Sequence, residues 1–208
     1  MSNMRDICQI APVIPVLVIQ NSKVALELGQ ALVNGGLPVL EVTLRTSAAL
    51  DVIKVMSSIP NAIVGAGTIV SPEDIIRAKE AGAVFGVSPG TTKAILKTAK
   101  EENFALLPGV ATASEIMKLN EEGYDTLKFF PAEAAGGVSM LKSWSGPLPD
   151  TMFCPTGGIS LDNAKKYLSL SNVPCVGGSW IVNEKSIMSN NWEEIRLIAE
   201  HTVKSLTH

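Results

Sequence analysis

The chain is short of charge, histidine and cysteine, and each shortage closes off a class of function. Charged side chains make up only 18% of its 208 residues, against roughly 25% in an ordinary soluble domain. A net charge of −3 leaves no basic surface for a phosphodiester backbone, so nucleic acid is not an expected partner. There are two histidines, His201 and His208, both near the C-terminal end; we read them as solvated tail residues. With no CxxC, HExxH or clustered carboxylates, no protein-bound metal is expected. Three cysteines, Cys8, Cys154 and Cys175, are odd in number and far apart along the chain. They read as reduced core residues rather than a disulfide framework. No apolar run approaches the ~18 residues that span a bilayer, and "MSNMRDICQIAP" lacks a signal-peptide pattern. A cytoplasmic protein without a membrane segment is expected.

What the chain does have is apolar residues, 46% of the total, enough for much buried surface and for a subunit interface. They fall into runs: Pro12–Ile19, Pro38–Leu44, Ala62–Ala66, Ala83–Val87, Ala105–Leu107, Thr126–Phe130, Met152–Cys154 and Val173–Val176. Between these lie segments of helical spacing such as Ser22–Asn34, where Val24, Leu28, Ala31 and Leu32 share a face. Ser71-Pro72 followed by Glu73 and Asp74 reads as a capped helix start. Gly35, Gly82 and Gly123 read as helix ends that need a left-handed residue. No linker or low-complexity stretch divides the chain, so residues 1–208 read as one domain. Eight β/α repeats predict a compact (β/α)8 TIM barrel, near the ~200-residue lower limit of that fold. A doubly wound open sheet is the rival, but no GxGxxG turn follows the first run. Pro12 and Pro15 predict an irregularity in the first strand, because proline cannot donate to a ladder.

In such barrels the site lies at the C-terminal ends of the strands. In the second run Glu41, Thr43 and Arg45 alternate with Leu40, Val42 and Leu44, which sends the polar set inward. A buried carboxylate needs a partner. A structural Glu41–Arg45 pair is one reading. In the sixth run Lys128 falls on the face of Thr126 and Phe130, just before Pro131 ends the strand. Runs two and six are half a ring apart in an eight-stranded barrel, so Glu41 and Lys128 can meet, as an ion pair or as chemistry. Two glycine turns, Thr156-Gly157-Gly158 and Gly177-Gly178-Ser179, follow the last two strands, where such folds hold phosphate on exposed N–H groups. Thr68, Ser88, Pro89, Pro108 and Gly109 sit at other strand ends and suit pocket-lining turns. The residues therefore point to an anionic, phosphorylated ligand beside a lysine, a carboxylate and an arginine. An amine withdrawn from water near another cation loses proton affinity and can attack a ketone, with a carboxylate as acid and base. This pattern favours an aldolase but leaves open a phosphosugar isomerase or epimerase, or a non-catalytic sugar-phosphate sensor.

The strings "VLEVTLRT", "GAGT", "SPG", "KFFPAEAAGG", "CPTGGIS" and "GGSW" closely resemble the 2-keto-3-deoxy-6-phosphogluconate aldolases, many of which also act on 4-hydroxy-2-oxoglutarate. The resemblance runs in order from "PVIPVLVI" to "GGSW", almost the whole chain. LEVTLRT with KFFPAEA is highly specific; the glycine pairs alone are not. It implies a class I, metal-independent, homotrimeric (β/α)8 enzyme of the Entner–Doudoroff route that needs no cofactor. By the same resemblance, Lys128 is the Schiff-base lysine and Glu41 the general acid/base, acting through a water. Arg45 and Thr68 hold the pyruvyl carboxylate. Pro89 and Phe130 line the pocket. Gly157, Gly158, Gly178 and Ser179 form the phosphate end, and Thr156, read from the first glycine turn, counts with them as substrate-binding. The chain departs from the family at Ala135, where serine or asparagine is frequent, and at Pro38 before the second strand.

Overall fold

The computed structural model describes residues 3–207, so the reading of His208 lies outside the described residues; His201 is exposed. After a short helix α1 (Met4–Cys8), strand and helix alternate: β1 (Val13–Leu17), α2 (Ala25–Asn34), β2 (Val39–Thr43), α3 (Ala49–Met56), β3 (Ile63–Gly67), α4 (Pro72–Glu80), β4 (Phe85–Val87) and α5 (Lys93–Glu101). The chain continues with β5 (Ala105–Leu107), β6 (Gly109–Val110), α6 (Ala113–Glu121), β7 (Thr126–Phe129), α7 (Gly137–Trp144), β8 (Met152–Pro155), α8 (Leu161–Leu168), β9 (Val176–Gly178), α9 (Glu184–Met188) and α10 (Trp192–Leu206). The paired strands are all parallel. They form a six-stranded sheet ordered β5-β4-β3-β2-β1-β9 and a three-stranded sheet ordered β6-β7-β8. The protein is thus an α/β fold whose parallel sheet curls around an interior.

Two joints connect the sheets. Pro108 separates β5 from β6: Leu107 O still accepts from Ser88 N on the β4 side, and Pro108 O accepts from Lys128 N on the β7 side. At the other edge, Thr156 makes a parallel bridge to Gly177 of β9. Strands covered on both faces read as continuous apolar runs, and β1 and β2 are buried along their whole length. Alternation divides their side chains between two cores. Leu40, Val42, Leu127 and Phe129 belong to the larger one, with buried helix residues such as Leu28 and Ile53. Ile14, Val39, Phe85, Val87, Leu107 and Cys154 form a smaller one inside the curl. Met4, Ile7 and Cys8 of α1 join this inner core beside the first residues of β3 and β5. The apolar plug therefore fills the end where the strands begin, and the polar interior residues lie toward the other end.

Several expectations need correction. Strand β1 runs through Pro15 without a break, paired with β9 over Val13–Pro15. The missing donor shows only as a late start of the ladder to β2, at Val16. The last strand is Val176–Gly178 rather than Val173–Val176, because Pro174 cannot donate and the first ladder bond is Val176 N to Pro12 O. At the end of α2 the left-handed residue is Gly36 (φ 90°), not Gly35; Gly35 is needed for space, since a Cβ there would reach 2.7 Å from Arg196 O. Gly82 and Gly123 are left-handed as expected, and Ser71 and Asp74 form a capping box. The cysteines are free and buried, and far from being scattered they meet inside the curl. Cys154 and Cys8 as neighbours, together with burial, hold the Cys175 thiol well above its usual range, so it stays protonated. No helix among the described residues is long and apolar enough to cross a membrane.

Candidate active site

The parallel sheet brings the ends of the strands to one rim, and the candidate residues stand on it. Glu41 is the third residue of β2, two before the strand ends at Thr43. It is 3% exposed, and Lys128 on β7 is 6% exposed. The two strands belong to different sheets, yet Lys128 Nζ lies 3.6 Å from Glu41 Oε1 across the interior. That separation is too long for a hydrogen bond, so charge rather than a shared proton holds the pair. A buried ion pair adds little stability beyond what apolar residues of the same size would give, which argues that this one is kept for chemistry. Lys128 Nζ also sits 5.0 Å from the centre of the Phe130 ring, a favourable face for a cation.

Glycine makes room for the carboxylate. Gly67 is in register with Thr43 on the neighbouring strand, and a Cβ on it would overlap the Glu41 carboxylate, with Cγ at 2.7 Å and Cδ at 2.9 Å. Sequence reasoning singled out Thr68 of GAGT and missed Gly67. The signal was present, since glycine inside a strand marks a close approach. Thr43 was likewise undervalued: its hydroxyl donates to Leu17 O at 2.9 Å and ties β2 to β1 just above Glu41.

Arg45 departs from the simple alternation. The β2–β3 ladder stops after Leu44 N donates to Gly67 O, the chain turns, and Arg45 is exposed. The structural Glu41–Arg45 pair is not formed: among the described residues Glu41 pairs with Lys128. The guanidinium is thus open to a ligand at the rim. Thr68 follows β3, half-buried, with φ 63°. A β-branched residue in the left-handed region is a strained conformation of the kind that gathers at functional sites. Pro89 is exposed after β4, and Phe130 is half-buried after β7. Thr156 is buried after β8, Gly157 and Gly158 follow at φ 101° and 77°, and Ser179 is exposed after Gly178. A Cβ on Gly177 would overlap the Thr156 side chain, so the two glycine turns meet. Among the described residues no group of histidine, cysteine and carboxylate side chains is placed to hold a metal ion.

The family description for KDPG and KHG aldolase matches residues 4–198. The chain belongs to the KDPG and KHG aldolase family. It is 47% identical over 200 residues to the 2-dehydro-3-deoxy-phosphogluconate aldolase of Pseudoalteromonas atlantica, covering 96% of this chain and 93% of that protein. Its backbone is similar to the KDPG aldolase of Legionella pneumophila, crystallised with pyruvate captured as a covalent carbinolamine, at a TM-score of 0.94, 44% identity and coverage of 97% and 98%. The 2-keto-3-deoxy-6-phosphogluconate aldolase of Zymomonas mobilis, crystallised with 3-phosphoglycerate, matches at a TM-score of 0.91 and 44% identity, with coverage of 96% and 94%. In an aldolase family the buried lysine facing a carboxylate acquires a specific meaning.

Proposed function

We propose that this chain is a class I aldolase that reversibly cleaves 2-dehydro-3-deoxy-6-phosphogluconate to pyruvate and glyceraldehyde 3-phosphate. It also cleaves 4-hydroxy-2-oxoglutarate to pyruvate and glyoxylate. The observation that carries the proposal is the buried Lys128 amine 3.6 Å from the Glu41 carboxylate in a chain of this family.

The chemistry follows from that pair. Lys128 passes its proton to the Glu41 carboxylate it faces, and the neutral amine attacks the C2 ketone to form a carbinolamine. Glu41 returns the proton to the departing hydroxyl, which leaves as water and gives an iminium. Glu41 accepts the C4 hydroxyl proton, through a water. The C3–C4 bond breaks, the aldehyde leaves, and the bonding electrons move into the iminium to give an enamine. Glu41 acts as the acid when C3 is protonated, and hydrolysis returns pyruvate and the free lysine. Arg45 suits the substrate carboxylate because its planar fork matches two oxygens, and Thr68 holds the same group. Phe130 and Pro89 line the pocket. The turns at Thr156-Gly157-Gly158 and Gly178-Ser179 take the phosphate on backbone N–H groups.

The reading extends to architecture. The whole chain is a single domain and a closed (β/α)8 barrel; the Pro108 joint and the Thr156–Gly177 bridge support closure. It works as a homotrimer in the cytoplasm. A low charged fraction and exposed Val70, Val84 and Met117 support a subunit interface, and a monomer in light scattering would overturn it.

The deciding experiment is borohydride reduction in the presence of pyruvate, with peptide mass spectrometry to locate the adduct. We expect it on Lys128; no adduct, or one on another lysine, defeats the assignment. The variant Lys128→Ala is expected to stay folded and to lose about a thousandfold or more in turnover, as removal of a covalent nucleophile does. Conversion of phosphosugar at constant mass, without pyruvate, would return Glu41 to the base of an isomerase.

A further inference from the structure

Beyond Lys128 the chain does not go straight into α7. It first lies along the glycine turn that follows β8: Ala132 N donates to Thr156 O at 2.8 Å and Glu133 N to Gly157 O at 3.1 Å. The Glu133 side chain packs over Gly158, where a Cβ would come within 2.6 Å of Glu133 Cγ. From the far side Tyr167 of α8, whose ring is buried, donates its hydroxyl to Glu133 Oε1. Asn163, one turn earlier on α8, donates to Gly158 O at 3.0 Å and accepts from Ser160 N at 2.9 Å. One helix therefore grips both the turn and the carboxylate packed on it.

The grip matters because of charge. Glu133 is exposed and among the described residues has no cationic partner. A free carboxylate beside a turn that receives a phosphate would repel it. The Tyr167 hydroxyl removes that freedom. Burial first, then the Glu133 carboxylate, pushes the tyrosine well above its ordinary titration range, so it remains a donor at any working pH. Sequence reasoning passed over both residues: Glu133 lies inside KFFPAEA and Tyr167 inside a helical stretch, each without a role.

We propose that Tyr167 and Glu133 form a latch that sets the Gly157–Gly158 turn for the phosphate end of the substrate, making them positioning residues that select phosphorylated over unphosphorylated sugar acids. This rests on the function proposed above and goes beyond it, because neither residue touches the reacting atoms. Tyr167→Phe keeps the packing and frees the carboxylate. Glu133→Gln keeps an acceptor for the tyrosine and removes the charge.

The test measures kcat and KM on 2-dehydro-3-deoxy-6-phosphogluconate and on 4-hydroxy-2-oxoglutarate, which carries no phosphate to reach the turn. Tyr167→Phe is expected to raise KM for the phosphorylated substrate about tenfold, the value of one charge-assisted hydrogen bond, with kcat unchanged and both constants intact on the other substrate. Adding Glu133→Gln to Tyr167→Phe is expected to bring KM part of the way back, since the released group is then neutral while the turn stays unlatched. Equal losses on both substrates would reduce the contact to general stability and overturn the proposal, as would an unchanged KM or a double variant without recovery. A wild-type protein that releases no pyruvate from either substrate would instead overturn the proposed function, and this inference with it.

Discussion

Replacing Gly67 by alanine separates the catalytic reading of Glu41 from a structural one. The backbone at Gly67 is not left-handed, so only space is at issue. The added methyl would stand 2.7 Å from Glu41 Cγ and 2.9 Å from Cδ, where carbon atoms normally keep ~3.5–4.0 Å. The carboxylate must therefore retreat by about 1 Å, because a closer approach is repulsive. Glu41 is only 3% exposed, so the shift is taken from its alignment with Lys128 and the substrate hydroxyl. Displacing a reacting group by that distance costs about 10²-fold in rate, or ~2.7 kcal/mol on the barrier. The assay is pyruvate release followed through lactate dehydrogenase, with circular dichroism to show that the variant is folded. Gly65, two residues earlier on β3, is the control: a Cβ there would overlap the Phe85 ring instead. Gly65→Ala is expected to lower stability by ~1–3 kcal/mol through overpacking and to spare turnover. If Gly67→Ala cleaves substrate at the wild-type rate, the geometric argument for Glu41 is wrong.

Two further outcomes follow from the same packing. Lys128→Met leaves Glu41 buried without its cation and is expected to cost ~3–5 kcal/mol in urea unfolding, most of it recovered when Glu41→Leu is added; a single variant as stable as the wild type would mean that the pair carries no charge coupling. In alkali, Tyr167 and Tyr124 keep their protons beyond the ordinary value of 10, the first through burial and Glu133, the second through burial and Glu122. A raised folded value stabilises below pH 10 and is lost as pH climbs above it, so melting temperature should fall from about pH 10 upward. Tyr167→Phe should flatten that fall, and an unchanged slope would show that the tyrosine titrates freely.

How much of this was legible without coordinates depended on distance along the chain. Period-2 alternation over Val39–Thr43 and Thr126–Phe129 was enough to turn Glu41 and Lys128 inward, because a strand has only two faces. Counting repeats then set them opposite each other. Helix caps such as Ser71 with Asp74 were readable for the same reason, being contacts three residues apart. The rule failed at Arg45 because alternation holds only while the ladder lasts, and the β2–β3 ladder ends just past Thr43. The short helix α1 was missed because five residues show too little periodicity; only the apolar opening inside the curl gives Met4, Ile7 and Cys8 something to cover.

The sequence by itself determined the order of strands and helices, the inward pair of lysine and glutamate, and the family, since these rest on local pattern and on strings of neighbouring residues. The tertiary structure decided which side chains meet across the interior. It joined β5 to β6 at a proline without a donor, gathered three distant cysteines, and left Gly67 as the space in which Glu41 fits. It also put Tyr167 on Glu133, 34 residues apart in the chain. Such contacts depend on how the whole sheet curls, and no short stretch of sequence carries that information.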